Sequence, residues 1–133
     1  WHKTLSVNLN GVFYLTKHAI PLFDSSGGSI INVSSSVGKI NKENWGAYGV
    51  SKFAVEGLTQ GLAEELKSKH IRVNAVNPGP MKTEMRQKAY MHGDKVIAKN
   101  PADVLDVFVY LSSDFSKHVT GKSIDAQQFK GTL

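Results

Sequence analysis

Apolar residues recur at helical spacing through the first part of the chain and predict an amphipathic helix from Trp1 to about residue 23. These positions fall three or four residues apart, which is the period of one helix face. They are Leu5, Leu9, Val12, Phe13, Leu15, Ala19, Ile20 and Leu22. The sequence DSSGG follows, and its glycines predict that the helix ends there.

Two short runs rich in β-branched residues predict buried strands. The first is SIINVS, residues 29–34, and the second is IRVNAVNPG, residues 71–79. Pro78 and Gly79 predict a sharp end to the second strand. Between the two strands, a longer apolar pattern predicts a helix from about Asn44 to Ser68.

The last third of the chain predicts a short helix over Lys82 to Met91, a second helix that begins at Asn100, and a final strand near Lys122 to Gln127. Asn100 is a favourable N-cap, and Pro101 suits the first helical position. Asp103 is favoured at the positive end of the helix dipole. No internal repeat or low-complexity linker is present.

The predicted elements alternate in the order α-β-α-β-α-β. This order is typical of the α/β class, in which right-handed crossovers join parallel strands. Parallel strands are normally covered on both faces, so the strand at 29–34 would leave an open edge in a three-stranded sheet. We therefore expect residues 1–133 to form the C-terminal half of a doubly wound parallel-sheet (Rossmann-like) domain. The start at Trp1, inside a helix and without an initiator Met, favours the same interpretation.

Composition narrows the protein class. The 133 residues are 41% hydrophobic and 20% charged, as expected for one globular domain. The absence of cysteine excludes disulfides and thiolate metal sites. Five histidines show no metal-ligand spacing, so no metal site is expected. No apolar run reaches the length of a membrane span and no signal peptide is visible, so a soluble cytoplasmic protein is the default expectation.

The net charge of +5 raises the question of nucleic-acid binding. The lysines are scattered along the chain, however, and no run of five or six basic residues occurs. We therefore expect neither a nucleic-acid nor a membrane partner.

Candidate chemistry lies where the predicted strands end, because the crevice of a doubly wound sheet lies beyond the carboxyl ends of its strands. SSSVG follows the first strand, PGPMKT follows the second, and the tail follows the third. Tyr48 and Lys52 lie one turn apart at the start of the helix that leaves the first of these segments. Chain order therefore brings Ser34–Ser36, Tyr48, Lys52 and Pro78–Thr83 toward one region.

These residue types suit the interconversion of a carbonyl and an alcohol. A tyrosine is a weak acid at neutral pH, but a neighbouring ammonium group favours the phenolate. A serine hydroxyl can hold a carbonyl oxygen while a tyrosine exchanges its proton with it. No side chain supplies hydride, so a cofactor such as a nicotinamide is required. Taken singly, the Tyr–Lys pair and the serine run are also consistent with a solvated helix end and a turn.

Five segments occur together in one order: VNLNGVF, GGSIINVSSS, YGVSK, IRVNAVNPGPMKT and TGKSIDAQ. As a set they resemble the classical short-chain dehydrogenase/reductases. The resemblance extends over essentially all 133 residues and corresponds to the second half of that family's usual domain. NWGAY and the DAQ ending are most similar to a bacterial subgroup of uncharacterised oxidoreductases.

The resemblance implies four catalytic residues. Tyr48 would be the acid/base, and Lys52 would promote loss of its proton while binding the nicotinamide ribose hydroxyls. Ser35 would orient the substrate oxygen, whereas its neighbours Ser34 and Ser36 are expected to be packing or turn residues. Asn8 would hold a water molecule that links Lys52 to solvent.

The resemblance also implies a cofactor, NAD or NADP, with the choice left open. Pro78, Gly79, Met81 and Thr83 are similar to the segment that cups the nicotinamide carboxamide, beside Tyr48 and Lys52. Residues 82–98 are similar to the family's mobile lid over the substrate.

The family's glycine-rich turn, which binds the dinucleotide, is not found in residues 1–133. We therefore expect that the N-terminal fingerprint half is absent. The parent protein is expected to be an NAD(P)-dependent oxidoreductase acting on a small-molecule carbonyl or alcohol, and this chain alone is expected to be inactive.

Several residues have a second interpretation that the sequence leaves open. Asn8 is also a residue that caps or kinks helices, and Thr83 is also a good N-cap for the short helix. Trp45 either packs under the tyrosine loop or lines the pocket. In the tail, DAQQ stands where the family commonly has Asp-Gly-Gly, so the family's substrate-end contacts are not carried over to these residues.

The alternative hypothesis is a non-enzymatic module that self-associates. The helices at 1–23 and 46–68 are similar to those that form the family's dimer interface, and we expect a homo-oligomer through them. Apolar positions beyond a single core face would serve that contact. They are Phe53, Val55, Leu58 and Leu62.

Overall fold

A computed structural model describes residues 1–90 and 96–131 of the chain. Its strands are β1 (Gly28–Val33), β2 (Ile71–Asn77) and β3 (Ser123–Asp125). Its α-helices are α1 (His2–Leu5), α2 (Gly11–Ala19), α3 (Gly46–Glu65), α4 (Glu84–Ala89) and α5 (Leu105–Ser112). Among the described residues, no helix combines the length and apolarity needed to cross a membrane.

The three strands form one parallel sheet in the order β1-β2-β3. β2 is central: Gly28 pairs with Ile71 at one end of the β1–β2 ladder, and Asn77 pairs with Asp125 in the β2–β3 ladder. The predicted α/β class is therefore confirmed. Within the described residues, β1 pairs only with β2, which is the open edge that the sequence predicted.

Helices cover both faces of the sheet because successive strand residues point to opposite faces. α3 packs on one face, in a cluster of Leu62, Ala63, Leu66, Ile71 and Val73. α5 packs on the other, in a cluster of Val76, Val104, Val107, Leu111 and Ala126. Each fully buried Val or Leu side chain in these clusters contributes about 1.5–3 kcal/mol relative to exposure.

The predicted helix from Trp1 to about residue 23 has the expected extent but is not regular. A π-helical turn over Ser6–Asn10 separates α1 from α2, and a 3-10 turn over Ile20–Leu22 ends the helix. Phe23 is already extended, with ψ at 136°. π-helical turns inside α-helices are frequent at functional sites, and this one contains Asn8.

The second predicted helix is shorter than the range from Asn44 to Ser68. Asn44 has a positive φ of 64°, so the helix cannot include it, and α3 begins at Gly46. At the other end, α3 gives way to a 3-10 turn over Lys67–Lys69, and His70 then turns the chain with φ at 55°.

The short helix predicted from Lys82 to Met91 is α4. It begins at Glu84 because Thr83 is its N-cap and accepts a hydrogen bond from the backbone N–H of Arg86 at 3.3 Å. The predicted end at Met91 lies outside the described residues, as do residues 91–95 of the expected lid.

The helix predicted from Asn100 begins as a 3-10 turn over Pro101–Val104 and continues as α5. The Asp103 carboxylate accepts from the backbone N–H of Asn100 at 2.9 Å, which caps this start. The final strand is shorter than predicted because Ala126–Gln128 form a 3-10 turn.

One expectation about α3 is wrong. Val55 is 1% exposed and Leu62 is 9% exposed, so neither is available for contact with another chain. Leu58 also packs against the cluster around Leu62. The reason is that these side chains cover the sheet, which needs more of the helix surface than one narrow stripe. Phe53, in contrast, is 44% exposed.

Candidate active site

The segment after β1, which we call the serine loop (residues 34–38), is held close to the sheet. The backbone N–H of Ser34 donates to the carbonyl of Val76 at 2.8 Å and so continues the ladder by one residue. Ser35 is extended and caps the 3-10 turn over Ser36–Gly38. Its Oγ accepts from the Val37 N–H at a long 3.5 Å, a contact that does not use the hydroxyl proton.

Tyr48 and Lys52 lie one turn apart in the first half of α3. The Lys52 ammonium lies 5.6 Å from the centre of the Tyr48 ring and donates to the carbonyl of Val33, at the end of β1, at 2.8 Å. Lys52 therefore joins the tyrosine helix to the carboxyl end of the sheet. Burial lowers the pKa of Lys52, because removal from water disfavours the charged form.

Gly38 allows the serine loop to pack directly against α3. A Cβ added at Gly38 would lie 2.9 Å from the carbonyl oxygen of Lys52 and 2.9 Å from the Oγ of Ser34. The first of these neighbours is backbone, so it cannot turn aside as a flexible side chain would. The close approach of the serine loop to the backbone of Lys52 thus depends on the lack of a side chain at residue 38.

Asn8 projects from the π-helical turn toward the start of α3. Its Nδ2 donates to the Oγ of Ser51 at 3.1 Å, and that hydroxyl donates to the carbonyl of Tyr48 at 2.7 Å. Asn8 therefore lies in an irregular turn, as one interpretation of the sequence required, and also contacts the helix that carries Tyr48. A water-holding role for Asn8 stays a prediction.

Aromatic side chains line one side of the site. The Trp45 ring lies 5.4 Å from the Tyr48 ring and 6.0 Å from the Tyr90 ring, measured between centres. Trp45 thus both packs against the tyrosine and lines the cavity, so the two interpretations of this residue are compatible.

The turn after β2 has a conformation that favours glycine. Gly79 has a φ of +74°, and its N–H donates to the Oδ1 of Asn77 at 3.1 Å. The Nδ2 of Asn77 donates in turn to the carboxylate of Asp125 at 2.7 Å. Residues at the carboxyl ends of β2 and β3 therefore hold this turn.

A cavity of about 560 Å³, which we call the site cavity, lies at the carboxyl end of the sheet. All eight residues predicted for the site line it. They are Asn8, Ser35, Tyr48, Lys52, Pro78, Gly79, Met81 and Thr83. Their roles remain predictions, because a shared cavity shows proximity and not chemistry.

The cavity lining is cationic. Lys52 and Arg86 are its charged residues, and no carboxylate lines it among the described residues. No group of three or more metal-ligating His, Cys, Asp or Glu side chains occurs in the part of the chain that the structure describes.

Sequence reasoning did not select Asn77 or Ser34 for the site, although both line the cavity. Asn77 had a usable signal: it is polar and ends a buried strand immediately before the Pro-Gly pair. Ser34 is 2% exposed, and its Oγ has no hydrogen-bond partner among the described residues. The lack of a partner for a buried hydroxyl is not visible in the sequence.

Comparison with known proteins identifies the family. The family model described as enoyl-(acyl carrier protein) reductase matches residues 1–127. The uncharacterised oxidoreductase YciK of Escherichia coli is 43% identical over 128 residues, which are 96% of this chain and 50% of that protein. The chain belongs to the short-chain dehydrogenase/reductase family. The resemblance seen in the sequence is confirmed, including the likeness to uncharacterised bacterial oxidoreductases.

A second curated relative of this short-chain dehydrogenase/reductase chain is the human (3R)-3-hydroxyacyl-CoA dehydrogenase. It is 41% identical over 138 residues, covering 94% of this chain and 52% of that protein. The chain spans about half the length of the curated relatives it matches.

Solved structures of short-chain dehydrogenase/reductases agree with the fold. The structure of YciK from E. coli has a TM-score of 0.86 at 44% identity, covering 92% of this chain and 50% of that one. A putative short-chain dehydrogenase of Shigella flexneri, solved in complex with NADP, has a TM-score of 0.86 at 43% identity. That match covers 92% of this chain and 52% of the Shigella chain.

Proposed function

We propose that the whole protein to which this chain belongs is an NAD(P)-dependent oxidoreductase that interconverts a carbonyl and an alcohol. The observation that carries the proposal is the arrangement of Ser35, Tyr48 and Lys52 around one cavity, with the ammonium 5.6 Å from the phenol ring. Relatives that are named dehydrogenases or reductases support it.

In this proposal each catalytic side chain has one task. The Ser35 hydroxyl donates to the substrate oxygen and so orients it. Tyr48 gives that oxygen a proton during reduction and takes it back during oxidation. The positive charge of Lys52 favours the phenolate, and its N–H groups bind ribose hydroxyls. Asn8 holds a water molecule that returns protons from solvent to Lys52.

The lining residues suit the nicotinamide end of a dinucleotide. A buried hydroxyl without a partner among the described residues lies at Ser34 on the cavity lining, and the one bond that the Ser35 Oγ accepts leaves its proton available to a polar group. A cationic cavity, with no carboxylate among its described lining residues, also tolerates a negatively charged cofactor. When bound, the nicotinamide supplies the hydride. Pro78, Gly79, Met81 and Thr83 would hold its carboxamide.

We propose either NAD or NADP as the cofactor. Related structures solved with NADP and with NADPH support a phosphorylated form. The residues that distinguish the two forms contact the adenosine side, for which residues 1–133 contain no glycine-rich fingerprint. We accordingly propose that residues 1–133 are the C-terminal catalytic half of one domain and that the isolated chain does not turn over.

The test is a cofactor-dependent assay on two preparations. The whole protein and the isolated 133-residue chain are each mixed with NADH or NADPH and a panel of ketones and dicarbonyls, and loss of the reduced nicotinamide absorbance is followed. We expect turnover by the whole protein and none by the isolated chain. A whole protein that binds neither cofactor would refute the proposed function, and turnover by the isolated chain would refute the assignment of the half-domain.

Self-association is a second candidate property, and it is favoured by exposed apolar side chains on two helices. Tyr14 and Leu15 on α2 are 56% and 73% exposed, and Val50 and Phe53 on α3 are 42% and 44% exposed. We propose that the helices at 1–23 and 46–68 pair with those of a second copy. Light scattering at micromolar concentration tests this, because a clean monomer would contradict it, and Phe53→Glu is expected to weaken the oligomer.

A further inference from the structure

A glutamine from the C-terminal tail contacts the turn that forms part of the candidate cofactor site. The Gln127 Nε2 donates to the carbonyl oxygens of Pro78 and Pro80, both at 3.2 Å. Its carboxamide therefore bridges the residues on either side of Gly79. Each such hydrogen bond stabilises the turn modestly, and a buried carbonyl left without its donor is destabilising by more than the bond contributes.

The contact depends on the glycine. A Cβ added at Gly79 would lie 2.5 Å from the Nε2 and 2.8 Å from the Cδ of Gln127. The Gln127 side chain thus occupies the space beside residue 79 that any other residue would need. Glycine is also the residue that readily adopts the φ of +74° found there.

Two cavities share residues of the turn. Gly79 and Asn77 line the site cavity, and they also line a second cavity of about 460 Å³. Gln127 lines the second cavity and is not among the residues that line the first. It therefore supports the turn from outside the site cavity.

The remaining contacts of the turn show why this support matters. Pro78 and Pro80 have no backbone N–H, so Gly79 supplies the one N–H of the turn, and Asn77 accepts it at 3.1 Å. The carbonyl of Pro80 also accepts from the N–H of Lys99 at 3.0 Å. With few backbone groups available, the two bonds from Gln127 are a large part of what fixes the turn.

We propose that Gln127 is a positioning residue that holds the Pro78–Pro80 turn in place for the carboxamide of the nicotinamide. The inference rests on the proposed function, because it assigns a task at the same site. The DAQQ tail stands where the family commonly has Asp-Gly-Gly, and a glycine at this position would have no amide with which to bridge the turn. The support is thus a feature of chains that carry a glutamine here.

The experiment compares two adjacent glutamines in the whole protein. Gln127→Glu keeps the size of the side chain but places a carboxylate against two carbonyl oxygens. Gln127→Met removes the donors without adding charge. Gln128→Glu is the matched control, because Gln128 is exposed and also lines the second cavity.

Binding is measured with NADPH, by nicotinamide fluorescence, and with 2′-phospho-ADP-ribose, which lacks the nicotinamide, by calorimetry. We expect Gln127→Glu to weaken NADPH binding about tenfold and Gln127→Met to weaken it about threefold, consistent with the loss of two hydrogen bonds at a preorganised turn. Binding of 2′-phospho-ADP-ribose should be unchanged in both variants. Gln128→Glu should bind both ligands as the wild type does.

Each contrary outcome has a distinct meaning. If the Gln127 variants bind NADPH as Gln128→Glu does, the positioning role is wrong while the proposed function stands. If they lose 2′-phospho-ADP-ribose to the same degree as NADPH, the residue has a general structural role and the inference is again wrong. If the wild-type protein binds neither NADPH nor NADH, the proposed function fails and the inference fails with it.

Discussion

The two ends of the sheet use their polar side chains in different ways. At the amino end, the Arg72 guanidinium donates to the carbonyl of Leu111 at 2.9 Å, the Oγ of Ser116 at 2.7 Å and the carbonyl of Ser113 at 3.3 Å. Ser29 donates to the same Leu111 carbonyl at 2.7 Å. These groups tie the end of α5 to the strands, so their hydrogen bonds are used within the fold.

At the carboxyl end, polar groups face a cavity instead. The buried Ser34 Oγ has no partner among the described residues, and the bond that Ser35 accepts leaves its hydroxyl proton for another acceptor. Cavity size does not distinguish the two ends, because the amino-end cavity is the larger, at about 690 Å³ against 560 Å³. What distinguishes them is that the Ser34 and Ser35 hydroxyls at the carboxyl end have no acceptor among the described residues, whereas Ser29 and Arg72 at the amino end donate to the protein.

The largest effect is expected from Tyr48→Phe in the whole protein. The substitution removes the phenolic proton but keeps the ring that packs against Trp45, so folding and cofactor binding should be retained. The rate should fall by about 10²–10⁴, which is the usual contribution of a general acid or base. Tyr90→Phe is the control, since it removes a hydroxyl from the same cavity. If Tyr48→Phe kept the wild-type rate, the reaction would not take place at the carboxyl end of the sheet.

Arg72→Met should affect stability at the amino end and leave the site cavity unchanged. The substitution removes the guanidinium donor from three oxygen acceptors. The carbonyls of Leu111 and Ser113 keep their bonds from Ser29 and Ser116, and we expect the free energy of unfolding to fall by about 2–3 kcal/mol. Urea denaturation measures the loss, and NADPH binding at native conditions should match the wild type. Arg72→Lys should recover only part of the stability, because an ammonium group lacks the planar fork. If Arg72→Met lost NADPH binding while its stability matched the wild type, the amino end of the sheet, and not the carboxyl end, would be the functional one.

Gly38→Ala should damage both folding and catalysis, but less than the previous substitutions. The added methyl meets the Lys52 carbonyl and the Ser34 Oγ, and overpacking of this kind costs about 1–2 kcal/mol. The displaced serine loop should lower kcat more than it raises KM for NADPH. Ser34→Ala alone should keep wild-type stability, because the hydroxyl has no hydrogen bond to lose among the described residues. When Ser34→Ala is combined with Gly38→Ala, the double variant should regain part of the stability that Gly38→Ala loses. A Gly38→Ala protein with normal stability and kcat would show that the close packing is not required.

The smallest effect is expected in the pH dependence of the free energy of unfolding, through the charge of Lys52. Burial lowers the pKa of Lys52 in the folded chain. Between that lowered value and the ordinary lysine pKa of about 10.4, the unfolded chain binds more protons than the folded one. The free energy of unfolding should therefore rise with pH across this window, while the cost of burying the charge is fully present below it.

A comparison of wild type with Lys52→Met isolates this contribution. The stability of the wild type should increase relative to the variant as the pH rises from the lowered pKa of Lys52 toward about 10.4. Lys52→Arg keeps its charge throughout and should show no such rise. A difference between wild type and Lys52→Met that stays flat or falls with rising pH would contradict a buried ammonium at this position.

Local sequence patterns were sufficient to predict the elements and to bring the site residues together. The first two strands are short and rich in β-branched residues and each long helix has apolar residues at helical spacing, so the order of the elements indicated the topology. The carboxyl ends of parallel strands meet at one edge, so the order of the elements alone placed Ser35 and Pro78 near each other. Tyr48 and Lys52 followed from helical spacing.

The features that sequence reasoning missed depend on contacts between distant segments. The π-helical turn at Asn8 is a shift in backbone hydrogen bonding, and helical periodicity does not reveal it. Val55 and Leu62 looked available for association because only the packed sheet shows how much of α3 it covers. The contact of Gln127 with the Pro78–Pro80 turn joins residues that are 49 and 47 positions apart.

The proposal that a nicotinamide gives hydride to a carbonyl while Tyr48 gives the proton is tested most directly by following a labelled hydride in the whole protein. NADPH carrying deuterium at one of its two C4 positions is supplied with a ketone that supports turnover, and the alcohol is analysed by mass spectrometry. We expect one deuterium per alcohol molecule from one of the two labelled cofactors, and almost no labelled alcohol from Tyr48→Phe at equal cofactor occupancy. Alcohol formed without deuterium from either cofactor, or at wild-type rates by Tyr48→Phe, would contradict it.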